Sequence, residues 1–147
     1  MVKTYEFFIP GNVPSLKNSK IKTKRGIFPS KTVVKYLQEM GIKSYSVRDK
    51  QVEDYKTRPN KFREHLRKFP KLHEKHYPIE VGFHFIRRTA ADFDFNNATQ
   101  IIQDLLVAHD YITDDSMRFF IPYVLKVDGR NYSLDKENPG VILKLRV

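Results

Sequence analysis

The chain has 147 residues, which is enough for one domain, spanning residues 1–147, with its own hydrophobic core. It contains no cysteine, so disulfide bonds, zinc–thiolate centres and thiol catalysis are all excluded. The formal net charge of +10 indicates a polyanionic partner, for which nucleic acid is a better candidate than an anionic membrane.

Two sequence features argue against a membrane partner. No apolar run reaches the roughly 18 residues that a membrane span needs. No basic helix with a clean apolar face is predicted either, as a surface-bound helix would require. The start, Met-Val-Lys-Thr-Tyr-Glu, is not typical of a signal peptide, so we expect a cytoplasmic protein.

The chain begins with a predicted strand and a basic arm. Apolar and aromatic residues alternate from Val2 to Pro10, which is typical of a strand, and Gly11-Asn12-Val13-Pro14 ends it with turn residues. Residues 15–26 are polar and basic, which fits either a surface loop or an arm that contacts phosphate groups. The candidate phosphate ligands of this arm are Lys17, Asn18, Lys20, Lys22, Lys24 and Arg25.

Two helical segments are predicted next. Ser30 is a suitable N-cap for a helix that runs to about Met40, and Gly41 is a natural terminator. A second helical zone runs from Gln51 to Phe69 and is interrupted at Pro59. We interpret its basic face as solvated, and contact with DNA or with a partner subunit is the alternative.

Residues Pro78 to Ile86 form the clearest predicted strand. The odd-numbered apolar residues from Ile79 to Phe85 would point into the core, while His84 would point to the outer face. Arg87 and Arg88 close the strand. They are candidates for guiding a phosphate group toward the acidic segment that follows.

That acidic segment, Asp92 to Asp115, is the most informative stretch of the chain. Asp92, Asp94 and Asn96 alternate with two phenylalanines, so in an extended backbone the three polar side chains share one face. Residues 97–109 are predicted to form a helix with a broad apolar face. Its polar stripe consists of Asn97, Gln100 and Asp104.

A helix of this length extends only about 20 Å, so the following loop is expected to bring Asp114 and Asp115 back toward Asp94. Several carboxylates that converge without basic partners repel one another unless a divalent cation holds them. Mg²⁺ is the simplest such cation. Carboxylate-bound Mg²⁺ is a common apparatus for breaking phosphodiester bonds.

Two further strands complete the chain. Phe119 to Val127 is the first, a hairpin-type turn follows at Asp128, and Val141 to Val147 is the closing strand. The order β, α, α, β, α, β, β predicts an α+β domain. Its mixed β-sheet would carry helices mainly on one face.

The acidic segment resembles the RusA-type Holliday junction resolvases, which are crossover junction endodeoxyribonucleases. The pattern of that family is Asp-x-Asp-Asn, a Lys, an Asp in the next helix, and a closing Asp-Asp pair. In the register that needs no gap, these positions fall on Asp94, Asn96, Asn97, Gln100, Asp104, Asp114 and Asp115. Near the N-terminus, Pro14-Ser15-x-x-Asn18 is similar to a Pro-Ser-x-Asn segment of the family.

The resemblance implies a RusA-like fold over most of the chain. It also implies a homodimer that places two Mg²⁺-dependent acidic sites across a four-way DNA junction, in bacterial or prophage recombination and repair. The implied catalytic positions are Asp94, Asn96, Gln100 and Asp115. The candidate metal ligands are Asp92, Asp94, Asn96, Asp114 and Asp115, with Asn97 and Asp104 in supporting positions.

This chain departs from the family pattern at charged positions. Asn96 stands where the family has its second metal-binding Asp, and Gln100 stands where it has its catalytic Lys. The Asn96 carbonyl offers a metal an oxygen without charge, and the Gln100 amide can hydrogen-bond a phosphate without neutralising it. Asp92 is a candidate replacement for the missing carboxylate.

Three functions stay open at this point. The first is a metal-dependent nuclease on branched DNA. The second is a RusA-like protein that binds junctions and cleaves poorly, because Asn96 and Gln100 replace the charged pair. The third is a basic RNA-binding or structural protein, in which Asp94 or Asn96 only caps the following helix and Asp114-Asp115 is a loop turn.

Overall fold

The computed structural model of the chain describes residues 2–15, 20–23, 26–29, 31–41, 44–45, 50–51 and 60–147. Its strands in these ranges are β1 (Thr4–Pro10), β2 (Lys20–Thr23), β3 (Gly26–Pro29), β4 (Ser44–Tyr45), β5 (Lys50–Gln51), β6 (Ile79–Arg87), β7 (Phe120–Val124), β8 (Ser133–Leu134) and β9 (Gly140–Arg146). Its α-helices are α1 (Lys31–Glu39), α2 (Lys61–His65) and α3 (Phe95–Ala108), and a 3-10 turn covers Glu74–His76.

Several predicted features lie outside the described residues. These are the N-cap Ser30, the helix interruption at Pro59, and the arm residues Lys17, Asn18, Lys24 and Arg25. Of the remaining arm residues, Lys20 and Lys22 belong to β2, which pairs with β3 in an antiparallel ribbon. The described part of the second helical zone is a helix of five residues that Asn60 caps.

The main sheet has five strands and mixed pairing, which confirms the predicted α+β class. Its order is β1-β9-β6-β7, and β8 pairs with β6 as well. β9 is antiparallel to both β1 and β6, whereas β7 and β8 run parallel to β6. β6 is thus the strand against which the acidic segment and the C-terminal strands are all assembled.

One face of this sheet forms the hydrophobic core with the helices. Phe7 of β1 and Phe83 of β6 both pair with Leu143 of β9, so the three side chains form a row across the sheet. Because strand side chains alternate between faces, the next row on this face lies two residues further along. The helical residues buried in the same core are Val33, Tyr36 and Leu37 of α1, Phe62 of α2, and Ala98, Ile102, Leu105 and Leu106 of α3.

The opposite face of β6 is covered by the chain between β7 and β9. His84, predicted to point outward, is only 1% exposed. Its Nδ1 lies 2.8 Å from the carbonyl oxygen of Leu125, and its Nε2 lies 2.6 Å from Oγ of Ser133. The expectation of an outer face was therefore wrong about exposure, because Leu125 and Ser133, in the chain between β7 and β9, contact the His84 ring.

Within the part of the chain that is described, no helix is long and apolar enough to cross a membrane.

Candidate functional site

The acidic segment begins with Asp94, which caps α3. Its backbone is extended, with φ −98° and ψ 112°, and its Oδ1 accepts a 3.1 Å hydrogen bond from the backbone N–H of Asn97. This bond satisfies one of the donors that a helix N-terminus leaves without an intrahelical partner. Asp94 therefore takes the capping role that sequence analysis left open, and the bond uses one of its two carboxylate oxygens.

The turn after β1 is attached to the start of this segment. The N–H of Asp94 donates to the carbonyl oxygen of Ser15 at 3.4 Å, and the N–H of Arg88 donates to Oδ1 of Asn12 at 3.0 Å. The guanidinium of Arg87 donates to the carbonyl oxygen of Val13. Residues 12–15 and the start of the acidic segment, more than 70 residues apart in sequence, therefore lie side by side.

The two arginines at the end of β6 have different surroundings. The guanidinium of Arg87 lies 4.8 Å from the ring centroid of Phe93 and is partly buried, and burial lowers its pKa from the usual value. An arginine keeps its charge despite such a shift. Arg88 is exposed. Arg87 thus fixes the chain locally, while Arg88 faces solvent.

Phe93 and Phe95 both pack onto the sheet, but the extended backbone predicted through Asn96 is wrong, because Phe95 and Asn96 already belong to α3. Both rings meet Phe85 edge to face, with centroids 5.9 and 5.8 Å away, and Phe93 also contacts Tyr132 at 5.1 Å. Edge-to-face contacts of this kind fix the path of the backbone between them. The side chains of Asp92 and Asn96 are exposed beside these rings.

The central contact of the site is made by Gln100 on the polar side of α3. Its Nε2 donates to Oδ1 of Asp104 at 2.9 Å and to Oδ2 of Asp115 at 2.7 Å. Gln100 and Asp104 are four residues apart, so helical geometry brings them together as predicted. Asp115 reaches them from the loop after the helix, so one amide holds two carboxylates close together.

The loop after α3 is folded back tightly enough to make this contact. Its turn has Asp110 in the left-handed region, with φ 63°, which Asp tolerates better than most residues. The N–H groups of Tyr111 and Ile112 both donate to the carbonyl oxygen of Leu106, at 2.9 and 3.4 Å. The N–H of Thr113 then donates to the hydroxyl oxygen of Tyr77 at 3.2 Å, which positions the chain two residues before Asp115.

His109 anchors the C-terminal end of α3, a role that its sequence context did not predict. Its Nε2 lies 2.8 Å from the carbonyl oxygen of Met40, and its ring stacks on Phe62 at 5.2 Å. Arg63 donates to the carbonyl oxygen of His109 at 3.3 Å. The only sequence signal was a polar residue directly after an apolar helical run, which is also typical of an exposed helix end.

The site has a limited set of metal ligands. Among the residues with described positions, no group of three or more His, Cys, Asp or Glu side chains could hold a metal ion. Asp92, Asn96 and Asp114 are exposed. The pair that the structure brings together is Asp104 and Asp115. Mg²⁺ is commonly bound by one or two carboxylates together with water and a substrate phosphate, so this pair fits that ion.

Comparison of the chain with protein-family models, with curated proteins and with solved structures finds no match in any of the three.

Proposed function

We propose that this protein is a Mg²⁺-dependent endodeoxyribonuclease that acts on branched DNA, with the four-way junction as its substrate. The supporting observation is the contact of Gln100 with Asp104 and Asp115. It gathers two hard oxygen ligands on the polar side of α3. The formal charge of +10 supports DNA as the partner, because a polyanion is attracted to a basic surface.

The proposed roles follow from the position of each side chain. Asp104 and Asp115 would hold the metal, and the family resemblance implies a further role for Asp94, which caps the same helix. When bound, Mg²⁺ supplies an activated water and stabilises the charge that develops on the phosphate. Gln100 keeps the two carboxylates together through its Nε2 protons.

The basic residues would hold the DNA backbone independently of sequence. Arg88 is exposed directly before the acidic segment, and Ser15, which precedes the arm in sequence, accepts a hydrogen bond from the N–H of Asp94. Phosphate contacts of this kind position a protein on DNA without reading its bases. The protein would then recognise a four-way junction by its shape. The proposed assembly is a cytoplasmic homodimer, which carries two such sites.

A second candidate function is a junction-binding protein that cleaves poorly. The observation that favours it is the neutral amide of Gln100, which spans Asp104 and Asp115 where the family resemblance implies a lysine. A neutral donor stabilises the developing charge of a cleaved phosphate less than an ammonium group does.

The test is Mg²⁺-dependent cleavage of a labelled four-way junction beside a linear duplex of the same sequence. Asp115→Asn removes one proposed ligand, and Asp128→Asn makes the same change in an exposed turn between β7 and β8. Symmetric nicks in the junction that disappear only in Asp115→Asn support the nuclease. Salt-sensitive junction binding without nicks favours the binding protein, and no preference for the junction contradicts both.

A further inference from the structure

A cavity of about 540 Å³ opens beside the loop that carries Asp115. Three partly buried aromatic rings, those of Phe69, Tyr77 and Tyr111, line it, and the rings of Phe69 and Tyr111 lie 5.1 Å apart. Two polar residues, Lys71 and Thr113, also line it. The cavity is therefore a mixed aromatic and polar site with room for a ligand of nucleotide size.

The rings are held in place from behind. Tyr111 packs edge-on against the fully buried Phe62 at 5.9 Å, and the guanidinium of Arg63 lies 5.5 Å from its ring centroid. Tyr77 accepts hydrogen bonds from Thr113 and meets Phe119 edge to face at 5.1 Å. A ligand that enters the cavity thus meets pre-formed aromatic walls, which lowers the entropic cost of stacking on them.

The chain around the cavity is strongly basic. Between residues 61 and 75 there are six Lys and Arg residues and two Glu residues, a formal excess of four positive charges. Lys71 in the cavity wall is exposed. Asp110 also lines the cavity.

One residue of the cavity wall is also close in sequence to the acidic pair. Thr113 in its wall is two residues from Asp115, and two residues span at most about 7 Å. Successive nucleotides of a strand are about 3.4 Å apart along a stacked helix. A strand whose phosphate lies at Asp115 therefore has a neighbouring nucleotide within reach of the cavity.

We propose that this cavity binds one unpaired nucleotide of a DNA strand, with its base stacked against the aromatic walls and its phosphate at Lys71. Aromatic side chains beside a basic surface are the usual combination for holding single-stranded nucleic acid, since every base has a face that stacks. The inference rests on the proposed function in taking DNA as the ligand. A branch point supplies such a nucleotide, because pairing is interrupted there.

The experiment uses a four-way junction with one unpaired 2-aminopurine at its centre, in buffer with EDTA so that Mg²⁺-dependent cleavage does not interfere. The fluorescence of 2-aminopurine falls when the base stacks, so quenching reports entry into the cavity, and anisotropy reports binding. Tyr111→Leu removes a wall, Tyr111→Phe keeps the ring, and Lys71→Gln removes the proposed phosphate contact. Lys3→Gln is the matched control in an exposed position before β1.

The wild type and Tyr111→Phe are expected to quench the base, and Tyr111→Leu to bind it about tenfold more weakly with little quenching. Lys71→Gln is expected to lower the slope of log affinity against log salt by about 0.7, and Lys3→Gln to leave quenching unchanged. A base that stays bright on the saturated wild-type protein overturns the proposal. So does quenching that persists unchanged in both Tyr111→Leu and Lys71→Gln.

Thermal melts show whether Tyr111→Leu is folded. If it is not, the proposal is judged from the quenching by the wild type and the salt slope of Lys71→Gln. The two proposals fail separately. Junction cleavage with a bright base removes the cavity proposal alone. A quenched base on a protein that does not cleave removes only the nuclease.

Discussion

The side-chain amide of Gln100 donates a 2.7 Å hydrogen bond to the carboxylate of Asp115, fifteen residues further along the chain. The same nitrogen donates to Asp104 at 2.9 Å. Gln100 is thus a neutral link between a helix and the loop that returns to it. Because a positive group at this point would neutralise both carboxylates, the charge of residue 100 is a direct way to test what the site does.

Gln100→Lys is expected to raise the single-turnover rate of junction cleavage by about tenfold. A lysine ammonium reaches the same two carboxylates and offers a scissile phosphate a full positive charge, and a tenfold rate change corresponds to about 1.4 kcal/mol of transition-state stabilisation. The rate is measured with enzyme in excess over a labelled junction at saturating Mg²⁺.

Gln38→Lys is the matched control for Gln100→Lys, since it adds the same charge at an exposed position of α1. It is expected to change junction affinity slightly and the cleavage rate not at all. Equal rates for the two variants would show that general attraction to DNA, rather than charge at Gln100, controls cleavage.

Asp94 allows the structural and the chemical role of a carboxylate to be separated. Asp94→Ala removes the N-cap of α3 and is expected to lower the free energy of unfolding by about 1 kcal/mol. Asp94→Asn keeps the cap, because Asn caps helices as well as Asp does, but removes the charge. Under the proposed function both variants lose at least tenfold in cleavage, and only Asp94→Ala loses stability.

Urea unfolding and junction cleavage are measured on the same preparations of the Asp94 variants. If Asp94→Asn cleaves like the wild type, Asp94 serves only as a helix cap, and the proposed catalytic carboxylates reduce to Asp104 and Asp115.

The features that the sequence predicted well depend on local periodicity. α3 was predicted from residue 97 to 109 and is observed as Phe95–Ala108, because its apolar spacing and its cap are both encoded within the helix. The Gln100–Asp104 contact followed from helical spacing in the same way. The inward face of β6 was predicted from strict alternation, and Val81, Phe83 and Phe85 are buried as expected.

The features that the sequence did not predict depend on tertiary contacts. His84 is buried because Leu125 and Ser133, which come from the chain after β7, contact its ring. No local sequence pattern around His84 predicts these contacts. Arg87 bonds to Val13, 74 residues away, so its half-buried position had no sequence signal. Asp94 illustrates a different limit, because the same residue type at the same position suits both a helix cap and a metal ligand.

The buried side chain of Tyr36 in α1 is expected to lower the free energy of unfolding at alkaline pH. Its side chain is buried, its hydroxyl has no hydrogen-bond partner among the described residues, and burial followed by the charge of Glu39 raises its pKa well above the usual value. An unfolded tyrosine has a pKa of about 10. Its contribution to stability is therefore fully present below about pH 10 and is lost as the pH rises toward the higher folded pKa.

Tyr36→Phe is expected to remove this dependence and to raise the free energy of unfolding at pH 7 by about 1 kcal/mol, because a buried hydroxyl without a partner is destabilising. Between pH 10 and 11 the wild type should lose up to about 1.4 kcal/mol more than the variant. Urea unfolding of both proteins from pH 7 to 11 measures the difference. Parallel curves would show that Tyr36 keeps its proton in the unfolded state or is hydrated in the folded one.

Arg87 and Arg88 are adjacent in sequence and are expected to respond differently to the same substitution. Arg87 is bonded to Val13 and lies over Phe93, so Arg87→Gln should lower the melting temperature, because both contacts are lost. Arg88 is exposed, and its described hydrogen bond uses the backbone N–H, which glutamine keeps. Arg88→Gln should leave the melting temperature unchanged. It should also lower the slope of log junction affinity against log salt by about 0.9, the loss of one phosphate contact.

Each variant thus controls for the other, because both lose one positive charge at neighbouring positions. Melting curves and salt titrations of junction binding are measured for the two proteins at equal concentration. An unchanged salt slope for Arg88→Gln would remove Arg88 from the DNA-binding surface. Equal slopes with equal melting temperatures would show that the contacts of Arg87 with Val13 and Phe93 contribute nothing measurable to the folded state.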